Sequence, residues 1–120
     1  IAKDDIVAVD FGQSAKWGIG EEGKAFVEDW PGIEGTAAEY LVGKKGKAVA
    51  TDCVSLDSSA SPLSELPAHF GLMPKGVLIF EMLKNLEKVG REAYFVSMPL
   101  LLKNCTGSPV RAVALKLKND

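Results

Sequence analysis

Short apolar runs and one helical stripe organise the first fifty residues. The run Ile6–Val9 is rich in β-branched residues and predicts a buried strand. Residues 12–35 carry six glycines without clear periodicity, which predicts a long loop. Apolar positions at helical spacing predict a helix over 36–45, and Thr36-Ala37-Ala38-Glu39 has the pattern of a capping box at its start. Residues 48–50 are predicted as a second strand, so this order is typical of an α/β fold.

The rest of the chain is predicted to be mainly β-structure. The apolar pattern favours a third strand over 77–81, a short helix or turn over 85–89 and a fourth strand over 93–98. Apolar residues at 100–102 and 110–117 predict a β-rich end.

Composition indicates an ordinary globular protein. The 120 residues are 47% apolar and 25% charged, which predicts a single domain covering 1–120. No apolar run approaches the roughly 20 residues of a membrane span, so we expect no membrane partner. The net charge is −2, and the basic cluster Lys44-Lys45-Gly46-Lys47 suits a solvated helix end. We therefore expect no nucleic-acid partner.

The two cysteines indicate a cellular compartment, and the first residues indicate that the sequence is part of a longer protein. Cys53 and Cys105 have no CxxC partner, so we interpret them as buried, reduced thiols of a cytoplasmic protein. The sequence opens at Ile1 without an initiator methionine or a leader, and we expect it to be part of something longer.

One glycine motif has the wrong context for a nucleotide site. Gly18-Ile19-Gly20-Glu21-Glu22-Gly23 fits GxGxxG, but no apolar helix follows, and two glutamates would lie where a pyrophosphate binds. We interpret the motif as a glycine loop.

Several polar residues have two possible interpretations. Asp52, Ser55 and Asp57 follow the second predicted strand, where α/β sheets gather functional groups, but their types also suit turns and caps. Arg111 lies in an apolar strand, where an ion-pair partner is favoured over an anion clamp.

His69 and Glu81 are the candidate metal ligands. Glu81 closes the apolar run Val77–Phe80, and a buried carboxylate needs a partner or a cation. His69, the only histidine, is a candidate neighbour. One histidine and one glutamate make at most half of a zinc or manganese ligand set, so a histidine without a metal role stays the alternative.

The chain resembles the bacterial kynurenine formamidase and "putative cyclase" family of metal-dependent hydrolases. The matching segments occur in order along nearly the whole chain. They are Asp5-Ile6-Val7, Trp17-Gly18, Trp30–Ile33, the helix at 36–45, Thr51–Asp57, Ala68-His69, Gly76–Glu81, Asn85-Leu86, Met98–Leu100 and Thr106–Ala114.

The resemblance implies a fold and an activity. The implied fold is α/β with a swivelling β/β/α core, a mixed β-sheet or barrel-like arrangement with a few helices, in homo-oligomers. The implied activity is hydrolysis of a small-molecule formamide, cyclic amide or lactone with zinc or manganese, which in the kynurenine formamidase branch belongs to tryptophan catabolism. His69 and Glu81 match residues that bind one metal of a two-metal site in that branch.

One departure from the family limits this expectation. The family's histidine-rich stretch, of the type HxGTHxDxPxH, supplies the other ligands and the catalytic histidine, and it is absent from this sequence. We therefore expect a C-terminal portion that needs a missing N-terminal portion or a second chain, has no catalytic residue of its own and does not turn over substrate alone. The leading hypothesis is an arylformamidase-like hydrolase; the alternative is a non-catalytic cyclase-fold domain acting in assembly or small-molecule binding.

Overall fold

The computed structural model describes residues 1–116. The chain divides into two compact units, Ile1–Glu87 and a second unit that begins at Lys88.

A three-stranded parallel sheet forms the centre of the first unit. Its strands are β1 (Ile6–Val9), β2 (Ala48–Thr51) and β3 (Leu78–Phe80), in the order β1-β2-β3. All four residues of β2 are buried, because this strand has a neighbour on each side. The three predicted strands of this region are therefore present, with β3 shorter than predicted.

Two helices cover one face of this sheet. They are α1 (Gly35–Gly43), between β1 and β2, and α2 (Pro67–Leu72), between β2 and β3. Val7, Val49 and Ile79 lie side by side across the strands and pack into the same core as the helices. The buried members of that core are Ala38, Leu41, Val49, Leu56, Ala68, Leu72 and Val77.

The start of α1 corrects one prediction. The helix begins at Gly35 with Glu34 as its N-cap, and no side chain caps it. Thr36 is therefore already inside the first turn, where its hydroxyl cannot serve as the cap that a capping box requires. The helix itself was predicted within two residues at each end.

The glycine-rich segment is more ordered than a plain loop. It contains two 3-10 helical segments, Gln13–Lys16 and Gly20–Phe26, and the buried Gln13 amide donates a 3.1 Å hydrogen bond to the Phe26 carbonyl. A Cβ on Gly23 would lie 2.4 Å from the Gly18 carbonyl oxygen. These glycines therefore permit close backbone packing.

The second unit is a two-stranded antiparallel sheet. Its strands are β4 (Tyr94–Pro99) and β5 (Val110–Leu115), as predicted, although residue 117 of the predicted second segment lies outside the described residues. Residues 100–102 do not form the β-structure predicted for them. The predicted turn at 85–89 contains a 3-10 segment, Leu86–Lys88.

Two side chains of the second unit were predicted to be buried and are exposed. Cys105 is exposed, whereas Cys53 in the first unit is buried as predicted. Arg111 is also exposed, so the burial that favoured an ion pair is absent. Among the described residues, Arg111 has no acidic partner within 4.0 Å.

Over the part of the chain that the structure describes, the fold is thus mixed α/β, with one parallel and one antiparallel sheet. Within residues 1–116, no helix is long and apolar enough to cross a membrane.

Candidate functional site

The candidate site lies where β2 and β3 end. The strands are parallel, so the loop after Thr51 and the residues after Phe80 leave the sheet at the same edge. Glu81 is the first residue beyond β3, and one of its carboxylate oxygens, Oε1, accepts a 2.8 Å hydrogen bond from the Leu56 backbone N–H. This bond fixes the Glu81 carboxylate against the loop that follows β2.

His69 reaches the same place from α2. Its Nε2 atom lies 3.5 Å from Oε1 of Glu81, with the His69 side chain 22% and the Glu81 side chain 27% exposed. The two residues singled out in the sequence are therefore neighbours at a solvent-accessible edge. Their role as metal ligands stays a prediction.

Asp57 holds the other side of the His69 ring. The Asp57 side chain is fully buried, and His69 Nδ1 lies 2.5 Å from its Oδ2, within hydrogen-bond distance. The same carboxylate accepts hydrogen bonds from the backbone N–H groups of Ala68, at 2.6 Å, and His69, at 3.1 Å. Asp57 thus caps the start of α2 from a distant loop and also contacts the imidazole.

Sequence reasoning left Asp57 without a role and did not predict α2. A signal was present, because Pro67 suits the first turn of a helix. Leu66 at the N-cap offers no side-chain acceptor, so an acceptor from elsewhere in the chain was needed. Its identity depends on the fold, since Asp57 lies ten residues before Pro67.

A tryptophan and a glycine support the loop that carries Asp57. The Trp30 indole N–H donates a 2.8 Å hydrogen bond to the Asp57 carbonyl, and the Ile33 N–H donates one of 2.9 Å to the Leu56 carbonyl. A Cβ on Gly32 would lie 2.1 Å from the Ser58 nitrogen, which leaves no room for a side chain. The Trp30–Ile33 segment therefore packs directly on the backbone beside the site.

Asp52 and Ser55 use their side chains to bind backbone. Asp52 is fully buried, and its carboxylate accepts 2.9 Å hydrogen bonds from the N–H groups of Phe11 and Ser14. The Ser55 hydroxyl accepts one of 3.3 Å from the Asp57 N–H. These contacts agree with the turn-and-cap interpretation of both residues.

The donor set fits part of a metal site. Two ligands of a tetrahedral zinc ion, each about 2.0–2.2 Å from the metal, lie about 3.4 Å apart. The 3.5 Å between Nε2 of His69 and Oε1 of Glu81 matches that spacing. Within residues 1–116, however, no group of three or more His, Cys, Asp or Glu side chains is arranged to hold a metal. The pair can supply two ligands of such an ion.

A cavity of about 260 Å³ lies in the same unit. It is lined by Ser14, Trp17, Phe26, Asp52, Met82, Leu83 and Lys84. The Lys84 ammonium lies 4.9 Å from the centre of the Trp17 ring, within cation–π range. Neither predicted metal ligand lines this cavity.

Cys53, which follows Asp52 in the chain, has a buried thiol of low reactivity. Burial raises the pKa of the Cys53 thiol above its ordinary value of 9.0, and the charge on Asp52 acts in the same direction. The thiol is therefore neutral at physiological pH and suited to packing.

One protein-family model matches just under half of the chain. Residues 1–58 match the family model described as "Putative cyclase", a segment that ends just after Asp57. No curated protein matches the chain closely enough to count as a relative. The family match confirms the cyclase-family resemblance predicted from the sequence.

Solved structures agree with this result. An isatin hydrolase bound to the product analogue thioisatinate is 28% identical, with a TM-score of 0.87 over 98% of this chain and 47% of its own. Isatin hydrolase A from Labrenzia aggregata is 26% identical, with a TM-score of 0.83 over 95% of this chain and 46% of its own. A structure described as a potential metal-dependent hydrolase with cyclase activity is 24% identical, with a TM-score of 0.69 over 95% of this chain and 52% of its own. The chain has a cyclase-like fold and spans about half the length of these proteins.

Proposed function

We propose that this chain is part of a metal-dependent hydrolase that cleaves an amide-type bond. The observation that carries the proposal is the 3.5 Å approach of His69 Nε2 to Glu81 Oε1 at the carboxyl edge of a parallel sheet. The cyclase-family match and the similarity to isatin hydrolases support it.

In this proposal, His69 and Glu81 hold a divalent cation, zinc or manganese. When bound, such an ion polarises the substrate carbonyl and lowers the pKa of water, so that a nucleophile is available at neutral pH. The chain's own contribution is to bind and orient the ion. Leu56 supports this by donating its N–H to Glu81 Oε1, which keeps that carboxylate turned toward the imidazole. We assign no residue of this chain as a catalytic acid or base.

The substrate we propose is a small molecule with an aromatic amide group. The sequence resemblance points to a formamide such as N-formylkynurenine, and the similarity to isatin hydrolases supports a cyclic amide. A lactone has the same reacting carbonyl. The chemistry these substrates share is attack of water on an acyl carbon, which a metal site can serve in each case.

The complete protein extends the proposal in three ways. The other metal ligands, and a second ion, would be held by an N-terminal portion or a second chain that carries the histidine-rich stretch. The whole would form the swivelling β/β/α core and a homo-oligomer, to which this chain contributes the parallel sheet and the β4–β5 pair. A cytoplasmic location fits the two unpaired cysteines.

A second candidate function is a non-catalytic cyclase-fold domain acting in assembly or small-molecule binding. It is favoured by one observation, since residues 1–116 contain no complete group of metal-binding side chains. The two candidates differ in whether the His69–Glu81 pair binds a metal.

Metal binding tests the proposal directly. Because His69 is the only histidine, a ¹⁵N-histidine-labelled chain has one imidazole, and Zn²⁺ should shift its Nε2 resonance. Glu81→Gln should weaken Zn²⁺ binding by about tenfold, because a neutral amide is a poorer ligand than a carboxylate. Glu65→Gln is the matched control, since Glu65 is exposed and lies outside the site. Equal affinities in both variants would contradict the proposed site.

Turnover separates the substrate classes. The full-length parent, loaded with zinc or manganese, should hydrolyse N-formylkynurenine or isatin, and His69→Ala should abolish both metal retention and turnover. A parent that folds, lacks metal and cleaves neither substrate would favour the non-catalytic candidate.

A further inference from the structure

Three donors converge on one buried carboxylate beside the proposed metal ligand. Asp57 accepts hydrogen bonds from the backbone N–H groups of Ala68 and His69 and lies 2.5 Å from His69 Nδ1. A backbone N–H can only donate, so Asp57 is the acceptor in those two bonds. Oδ1 accepts from Ala68 and Oδ2 accepts from His69, so both oxygens face donors, and this geometry favours a proton on Nδ1 in the third contact.

That assignment decides what the other ring nitrogen can do. In a neutral imidazole only one nitrogen carries the proton, so a ring protonated at Nδ1 has a lone pair at Nε2. Nε2 faces Glu81 Oε1 at 3.5 Å, and this oxygen already accepts the Leu56 N–H. In the neutral ring, two acceptors then face each other, which is an arrangement that a proton or a metal cation between them stabilises.

We propose that Asp57 is a positioning residue that holds His69 in the Nδ1–H tautomer and leaves Nε2 free to bind a cation together with Glu81. This inference rests on the proposed function. Histidines that bind metals commonly donate their second ring N–H to a carboxylate, which fixes the ring orientation and raises its basicity as a ligand.

The surroundings of Asp57 suit this role. Its side chain is fully buried, its N–H donates to the Ser55 hydroxyl, and its carbonyl accepts the Trp30 indole N–H. Both the backbone and the side chain of Asp57 are thus held in place by hydrogen bonds. A carboxylate fixed in this way can orient the imidazole without moving itself.

Asp57→Asn tests the proposal because it keeps the shape of the side chain and replaces one acceptor oxygen by a donor NH₂ group. The replacement amide has a single oxygen for three contacts. When that oxygen accepts the Ala68 N–H, as Oδ1 of Asp57 does, the amide NH₂ group faces Nδ1. His69 should then change to the Nε2–H tautomer, in which the nitrogen that faces Glu81 is no longer a ligand. The ¹⁵N shifts of the single imidazole report the tautomer in the metal-free protein. Zn²⁺ affinity, measured by titration, should fall by about tenfold to a hundredfold.

Asp52→Asn is the matched control. Asp52 is also fully buried and also accepts two backbone N–H groups, but its hydrogen bonds involve no histidine. This variant should keep the Nδ1–H tautomer and the Zn²⁺ affinity of the unmodified chain. It therefore separates the loss of a buried charge from the loss of the contact with His69.

The outcomes distinguish this inference from the proposed function. An Nε2–H tautomer in the unmodified chain overturns the inference, and this measurement does not depend on whether Asp57→Asn folds. Unchanged Zn²⁺ affinity in a folded Asp57→Asn variant also overturns it, while the metal site itself would remain. If the unmodified chain has the Nδ1–H tautomer but neither it nor the parent binds metal, the proposed function fails and the tautomer assignment stands.

Discussion

The two units of this chain contrast in how much of each is buried. In residues 1–87, the parallel sheet is covered by helices on one face, and every buried side chain of the described residues lies in this unit. In residues 88–116, the two-stranded sheet has no buried residue. Parallel strands need cover on both faces, whereas an antiparallel pair can leave a face open but is marginal by itself. The candidate site lies in the unit that can hold side chains rigidly.

The largest expected effect comes from matched leucine substitutions in the two units. Leu72 is fully buried in the first unit, and Leu115 is 53% exposed in the second. Leu72→Ala should lower the free energy of unfolding by about 2–5 kcal/mol, because it leaves a cavity in the core. Leu115→Ala should change it by less than about 0.5 kcal/mol.

Urea unfolding followed by tryptophan fluorescence measures this difference. Trp17 and Trp30 both lie in the first unit and report its unfolding. A comparable loss in the two variants would mean that the first unit depends on the second for its stability.

A smaller effect is expected from matched glycine substitutions near and far from the site. Gly32→Ala should destabilise the chain by about 3 kcal/mol, since a Cβ would overlap backbone atoms of residues 56–58. Gly43→Ala has open space and should be neutral, or stabilising by up to about 1 kcal/mol, because alanine favours the helix. Thermal unfolding measures both, and the imidazole resonance of His69 should move only in Gly32→Ala. A tolerated Gly32→Ala would show that the loop carrying Asp57 can shift.

The smallest effect concerns the two cysteines, one in each unit. Burial raises the pKa of Cys53, so at pH 8 Cys105 should react with iodoacetamide about tenfold faster or more. The folded chain also holds the Cys53 proton more tightly than the unfolded chain does. The resulting stabilisation is complete below the ordinary value of 9.0 and is lost as pH rises through the raised value.

Mass spectrometry of peptides labelled over a pH series measures both rates. The labelling of Cys53 should rise only at a higher pH than that of Cys105. Equal rates at pH 8 would mean that the core around Cys53 opens readily.

The parts of the fold that depend on local pattern were predictable. Short apolar runs identified β1, β2 and β4, because a strand that packs on a core leaves an apolar signal in the sequence. The start of α1 was missed, since Gly35 and Thr36 are both acceptable at a helix start and the choice between them depends on packing. Leu100–Leu102 shows that an apolar run alone does not make a strand.

The candidate site was predictable only in part. His69 and Glu81 could be singled out because each is unusual in its place: one is the only histidine, and the other is a carboxylate after an apolar run. Asp57 could not be separated from Asp52 or Ser55, since all three residue types suit turns. Its contact with His69 arises from the way α2 folds back on the loop after β2, which is a long-range feature.

Leu56 and Asp57 are consecutive, and each of them holds one half of the pair: the first through its amide, the second through its carboxylate. Two consecutive residues therefore set the distance between His69 Nε2 and Glu81 Oε1. A change in the backbone at 56–57, or in the Trp30–Ile33 segment that packs on it, should therefore move the imidazole and the carboxylate together, whereas exchanging either side chain alters only one of them.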